Sequence, residues 1–241
     1  MTKHPHGITG FVTLCGLIGF ALALGTLGGI VRADEPKATP RFEKILFLGN
    51  SITLHGPSTK IGWEGNWGMA ASALEKDYVH IVTRSLAESS GSTPKMLAKN
   101  IAAFERQYAT YDLKQNLQDA FDFKPDLVVL AIGENVPKLD SAEAKAQFQS
   151  SVTKLLKEAK SDNGPTIIVR SCFWTDPAKD EALRQACQQA GGVFVDISSL
   201  GKDEANYARS ERDIPHAGVA VHPGDQGMQA IAAAILKALE P

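Results

Sequence analysis

Residues 44–56, KILFLGNSITLHG, carry four consecutive apolar side chains (Ile45 to Leu48) and then stop at Gly-Asn-Ser. An apolar run without polar alternation reads as a strand buried on both faces, and such strands belong to parallel sheets covered by helices. Its abrupt end has two readings. Gly49 and Asn50 tolerate left-handed backbone, so the tripeptide suits an ordinary surface turn. The same turn would also deliver Ser51 to the rim of a sheet, where a hydroxyl can do chemistry.

Three more stretches resemble the first: DLVVLAI (126–132), PTIIVRS (165–171) and GVFVDI (192–197). PKMLAKNIA (94–102) is read as a further strand, placed second in the chain. Helical spacing appears between them. Leu74, Tyr78, Ile81, Val82, Ser85 and Leu86 mark a helix near 74–88. Residues 141–160 form another, with Ser141 as its N-cap. In 176–192, Pro177 comes early and a Gly pair follows the end, as in a helix with a glycine stop. A last helix runs through 227–239, with Asp225 as its cap. Alternation of this kind predicts an α/β domain with one parallel sheet of about five strands. Ligands of such sheets bind at the carboxyl ends of the strands, where the strand order reverses.

With 241 residues, 44% of them hydrophobic, the chain can bury one sizeable core. That domain is expected over 42–241. A formal charge of −2 and the lack of any Lys/Arg cluster argue against a nucleic-acid partner. Residues 1–33 read as a signal peptide: Lys3 lies in a short leader, an apolar run extends from Gly7 to Val31, and Val31-Arg32-Ala33 suits cleavage. The run is also long enough to span a bilayer, so an uncleaved anchor is the alternative. Residues 34–41 read as a linker. Either way the domain is expected outside the cytoplasm, secreted or periplasmic, or held to the membrane facing outward by the N-terminal segment alone. Cys172 and Cys187 are expected as two buried thiols. Roughly 15 Å of helix axis separates them, too far for the ~7 Å that a disulfide allows.

Three groups of polar residues follow strands or precede helices on the same predicted rim: Asn50 and Ser51; Gly133, Glu134 and Asn135; and His222, in AVHPGDQGM. A serine hydroxyl is a poor nucleophile until a base takes its proton, and imidazole is the usual base. The intermediate then needs donors aimed at its oxyanion. Taken singly, each group is more often a turn or a structural hydrogen bonder. The constellation is the stronger signal.

LGNSIT, AIGENV and VAVHPGDQGM resemble the blocks of the SGNH (GDSL-like) hydrolases, in that family's order and across nearly all of residues 44–240. The resemblance implies a flavodoxin-like three-layer α/β/α sandwich and hydrolysis of esters, many of them acetyl esters on carbohydrates. It makes Ser51 the nucleophile and a backbone oxyanion donor, Asn135 the side-chain oxyanion donor, and His222 the general base. Three departures stand out. Asn50 replaces the family's frequent Asp. The second oxyanion block lacks its Gly, which leaves the backbone N–H of Gly68 or Ala102 as candidates. Val219 stands where the family usually has the acid that orients the histidine. His222 then works without an acid, uses a backbone carbonyl, or recruits a carboxylate from elsewhere, with Asp213, Glu211, Asp176 and Asp225 as candidates.

Residues 55–72 are long for a connection and carry Trp63 and Trp67 among four glycines, a length that often marks a functional loop. One reading has the tryptophans cover the core. The other lines a sugar cleft with Trp63, Glu64, Asn66 and Trp67, joined by Glu134 and by Trp174 just after the fourth strand. No cysteine or histidine spacing suits a metal, and no glycine-rich phosphate loop is present, so neither metal nor cofactor is expected. The leading expectation is an exported serine esterase acting on a small-molecule or polysaccharide ester. The alternatives are acyl transfer by the same residues and a non-catalytic carbohydrate-binding protein, the latter motivated by Val219.

Overall fold

Five strands occupy the centre: β1 (Lys44–Gly49), β2 (Lys95–Asn100), β3 (Leu127–Ala131), β4 (Thr166–Arg170) and β5 (Val193–Val195). All pairs are parallel, in the order β2-β1-β3-β4-β5. The computed structural model describes residues 41–160 and 164–240. The leader at 1–33 and nearly all of the linker lie outside the described residues. Among the described residues no helix is long and apolar enough to cross a membrane.

Successive side chains of a strand point to opposite faces, which divides the apolar residues between two cores. Ile45, Phe47, Val129 and Ile168 meet α1 (Tyr78–Ser90) and α7 (Asp225–Lys237) on one face. Leu46, Leu48, Val128 and Val169 meet α3 (Leu113–Asp122), α4 (Ala142–Ala159) and α5 (Pro177–Ala190) on the other. The result is the expected three-layer α/β/α sandwich. Two short helices, α2 (Ala102–Gln107) and α6 (Ala217–Ala220), sit near the strand ends. Cys172 and Cys187 are buried free thiols, as expected.

The helix expected from residue 74 breaks at Asp77. That residue is extended, and its buried carboxylate caps α1 through His80 N–H (2.8 Å) while accepting Gly68 N–H (3.0 Å). Ser141 does cap α4, accepting Ala144 N–H at 3.1 Å. The cap of α7 differs from expectation. Gly224 holds the cap position, and Glu211 reaches across to accept Asp225 N–H (2.8 Å) and Gln226 N–H (2.7 Å). Asp225 instead binds Ser72. A distant carboxylate capping a helix leaves no local pattern to read.

The strand order reverses between β1 and β3. The crevice at their carboxyl ends is where such sheets bind ligands, and it is where Ser51 and Asn135 emerge.

Candidate active site

The turn after β1 is built tightly. A Cβ at Gly49 would collide with the Thr53 side chain and lie 2.9 Å from the Ala131 carbonyl, so only glycine fits. Thr53 and Leu54 N–H both donate to the Asn50 carbonyl at 3.0 Å, and Ile52 N–H donates to Asn50 Oδ1 at 3.1 Å. Ser51 N–H takes no part in these bonds. Its hydroxyl lies 2.8 Å from His222 Nε2 and lines a cleft of about 450 Å³ with His55, Asn100, Ala103, Arg106 and Asn135.

His222 is held from its other side. Nδ1 lies 2.7 Å from the Gly218 carbonyl, which can only accept, so Nδ1 carries the proton and Nε2 presents a lone pair to Ser51. The carbonyl is available because His222 N–H bonds to Val219 O, the tighter partner, at the end of α6. Trp174 packs edge-on against the imidazole, with centroids 5.2 Å apart. Burial lowers the His222 pKa to about 4, against smaller opposing effects of the Gly218 carbonyl and the Glu134 charge. A neutral imidazole in contact with a serine hydroxyl can take its proton.

Behind the cleft lies a buried polar network. Arg170, fully buried at the end of β4, donates to Glu134 Oε1 at 2.7 Å. Phe173 N–H (2.9 Å) and Asn50 Nδ2 (2.6 Å) also donate to Glu134. Burial opposes the Glu134 charge, but Arg170 and these donors outweigh it and keep the carboxyl below its usual range. Glu105, on α2, accepts Gly133 N–H (2.7 Å), Asn135 N–H (3.1 Å), Asn135 Nδ2 (2.8 Å) and Asn50 Nδ2 (3.2 Å). Burial, and then the Glu134 charge, push its pKa up. The Asn50 amide thus joins both carboxylates to the turn that carries Ser51.

The same contacts orient Asn135. Arg106 Nη2 donates to its Oδ1 at 3.1 Å while Glu105 accepts from its Nδ2. Arginine only donates and a carboxylate accepts, so the amide cannot be turned over without losing both bonds. One Nδ2 hydrogen remains for a ligand.

Several expected site residues stand elsewhere. Gly68 and Ala102 N–H groups are already bonded, to Asp77 Oδ2 and Asn100 Oδ1, each at 3.0 Å, so neither is free for an oxyanion. Asp176 caps α5 through Ala178 and Lys179 N–H, and Asp213 is exposed. Neither reaches His222, whose Nδ1 is taken by Gly218. The Glu134 side chain is 2% exposed and faces the network rather than a ligand. Trp63 and Trp67 form an edge-to-face pair (5.6 Å) and donate their indole N–H groups to the His55 and Ala71 carbonyls. They pack with Met69, Ala70, Ala208 and Val219 as a small separate core. With Glu64 and Arg212 they border a second cleft of about 460 Å³, apart from that of Ser51, and Asn66 is exposed. Among the described residues no cluster of His, Cys, Asp or Glu suits a metal ion.

His55, Glu105, Arg106 and Arg170 escaped the sequence reading. Arg170 left a signal: a lone cation at the end of the apolar run PTIIVRS implies a buried counter-charge. Glu105 and Arg106 left none beyond lying just after β2.

A protein assigned as a GDSL-like lipase from Parabacteroides merdae has a similar fold, with a TM-score of 0.54 at 18% identity over 83% of this chain and 96% of the other. A second such protein, from Bacteroides uniformis, gives 0.51 at 12% identity over 81% and 94%. A family two carbohydrate esterase from Cellvibrio japonicus gives 0.48 at 17% identity over 85% and 61%. No curated protein matches the chain. Residues 47–230, from within β1 through His222 and into α7, match the GDSL-like lipase/acylhydrolase family, so the chain belongs to that family and is an ester-bond hydrolase.

Proposed function

We propose that this protein is an exported serine esterase that removes short acyl groups, acetyl foremost, from a carbohydrate. The observation that carries the reading is the 2.8 Å contact of Ser51 Oγ with a His222 whose other nitrogen is held by the Gly218 carbonyl. Ser51 Oγ attacks the ester carbon as His222 Nε2 takes its proton. The carbonyl electron pair moves to oxygen, and the resulting oxyanion is met by Ser51 N–H and by the unused Nδ2 hydrogen of Asn135. The imidazolium, steadied by Gly218 O and by the Glu134 charge, then protonates the departing alcohol. Water, deprotonated by the same nitrogen, releases the carboxylic acid from Ser51.

A carbonyl in the acid's place supports the catalytic reading over a non-catalytic one, since it lets the histidine keep its tautomer without a carboxylate. The polarity of the cleft, with Asn100, Arg106, Asn135 and His55 on its walls, favours a hydroxylated substrate over a lipid chain. Export rests on the apolar segment Gly7–Val31 and the Val31-Arg32-Ala33 that ends it. The membrane enters only if that segment stays uncut.

The test is covalent labelling with a fluorophosphonate, followed by mass-spectrometric mapping. Labelling is expected at Ser51 and is expected to vanish in His222→Ala. A folded protein that stays unlabelled, or labels elsewhere, would end the proposal.

A further inference from the structure

We infer that Arg106 forms an anion subsite beside Ser51, so that the preferred substrate is an acylated sugar bearing a negative charge, a carboxylate before a sulfate, on or next to the acylated ring. The inference rests on the esterase reading of Ser51. Arg106 lies on α2 and borders the same cleft as Ser51, which no Asp or Glu lines. It is exposed, and no carboxylate lies within ion-pairing distance of it among the described residues. Among the described residues its side chain makes one hydrogen bond, Nη2 to Asn135 Oδ1, which anchors the guanidinium and leaves its other N–H groups unbonded beside the cleft. Guanidinium on a surface usually finds a carboxylate or lies free along the chain. Here it is tied to a neutral amide at the rim of the reaction centre, a geometry that leaves its charge for a ligand.

A planar fork matches a carboxylate through two parallel hydrogen bonds, and a tetrahedral sulfate less well. An O-acylated hexuronate therefore fits better than its neutral counterpart. His55 adds a polar wall: its Nδ1 is bound to the Gly56 carbonyl at 2.6 Å, which leaves Nε2 for a sugar hydroxyl.

The experiment compares kcat/KM for three O-acetylated methyl glycosides: a hexuronide, the matching neutral hexoside, and that hexoside as its 6-sulfate. Aryl acetate serves as a charge-free control of Ser51-dependent turnover. The hexuronide is expected to lead the neutral sugar roughly tenfold at low salt, the size of a partly exposed charged hydrogen bond. The lead should shrink as ionic strength rises. In Arg106→Gln the ratio should fall to near one, and in Arg106→Lys part of it should survive. Any general loss through Asn135 cancels in the ratio. A sulfate lead that Arg106→Gln abolishes would support the subsite and name sulfate as the charge. Equal turnover of all three by the wild type, or a preference that Arg106→Gln leaves intact, would overturn the inference. Absent Ser51-dependent turnover of aryl acetate, the esterase reading fails instead. The subsite is then decided by calorimetric binding of the unacylated hexuronide against the hexoside, where equal affinities would overturn it.

Discussion

The two halves of the Ser51–His222 contact are held by opposite kinds of physics. Ser51 stands on a turn whose neighbour, Asn50, reaches into a buried network of two carboxylates and Arg170. His222 stands on an irregular segment held by a backbone carbonyl, by Trp174 and, through the adjoining Val219, by the apolar core around Trp63. The serine side is positioned by charge, directional and costly to disturb. The histidine side is positioned by packing and a single neutral acceptor. The difference shows that an acid is dispensable as a positioning device where burial and a carbonyl already select the tautomer. What the acid would add is stabilisation of the imidazolium, and here the distant Glu134 supplies part of it.

The largest expected break lies on the charged side. Glu134→Gln keeps the shape but leaves Arg170 without a counter-ion and sets an amide N–H₂ against Asn50 Nδ2. A loss of about 3–5 kcal/mol in denaturant unfolding is expected, as for other broken buried pairs. A loss below about 1 kcal/mol would mean that the network does not act as a charged unit.

Asn135→Ala removes the amide but not the fold's charge balance. It should lower kcat by roughly 10²–10³ with little change in KM, the cost of one oxyanion donor. An unchanged kcat would remove Asn135 from the reaction.

The histidine side is best probed by acid. His222 titrates near 4 in the folded chain and near its ordinary value of about 6.5 when unfolded. The kcat/KM profile should therefore be flat from neutrality down to about pH 5 and fall with a midpoint near 4. Stability carries the same signature. Above about pH 6.5 the ring is neutral in both states and contributes no pH dependence. As pH drops towards 4 the unfolded chain takes the proton first, so about 3 kcal/mol is lost across that window. In His222→Asn this component should be absent from urea midpoints measured at pH 4 and 7. An acid limb near 6.5 would place the ring in a wetter setting than the one beside Trp174.

The smallest effect sharpens the contrast. Asp213→Asn and Asp176→Asn should each change kcat by less than about twofold in folded protein, since neither carboxylate meets His222. A hundredfold loss in either would restore a carboxylate to the histidine.

β1, β3 and β4 showed as bare apolar runs, because strands covered on both faces need no alternation, and β5 as a short apolar run at one edge. The second, at the edge in 95–100, was weaker because its residues are only half-buried or exposed. The Ser51 turn, Asn135 and His222 were legible since rim chemistry in this fold concentrates at strand ends. The tryptophans stayed open between two readings for a physical reason: a large ring stabilises equally well in a sugar cleft or in a satellite core, and composition does not distinguish the two.

By itself the sequence determined the sheet, its layers, the family, and the three residues that meet at the rim. It did so because apolar runs, helical spacing and residue chemistry are local. Only the tertiary structure decided what holds those residues. Glu105, Arg170, Gly218 O and Glu211 each act on partners far away in the chain or through a backbone atom that every residue possesses. Such contacts depend on how the elements pack, and no short stretch of sequence encodes that.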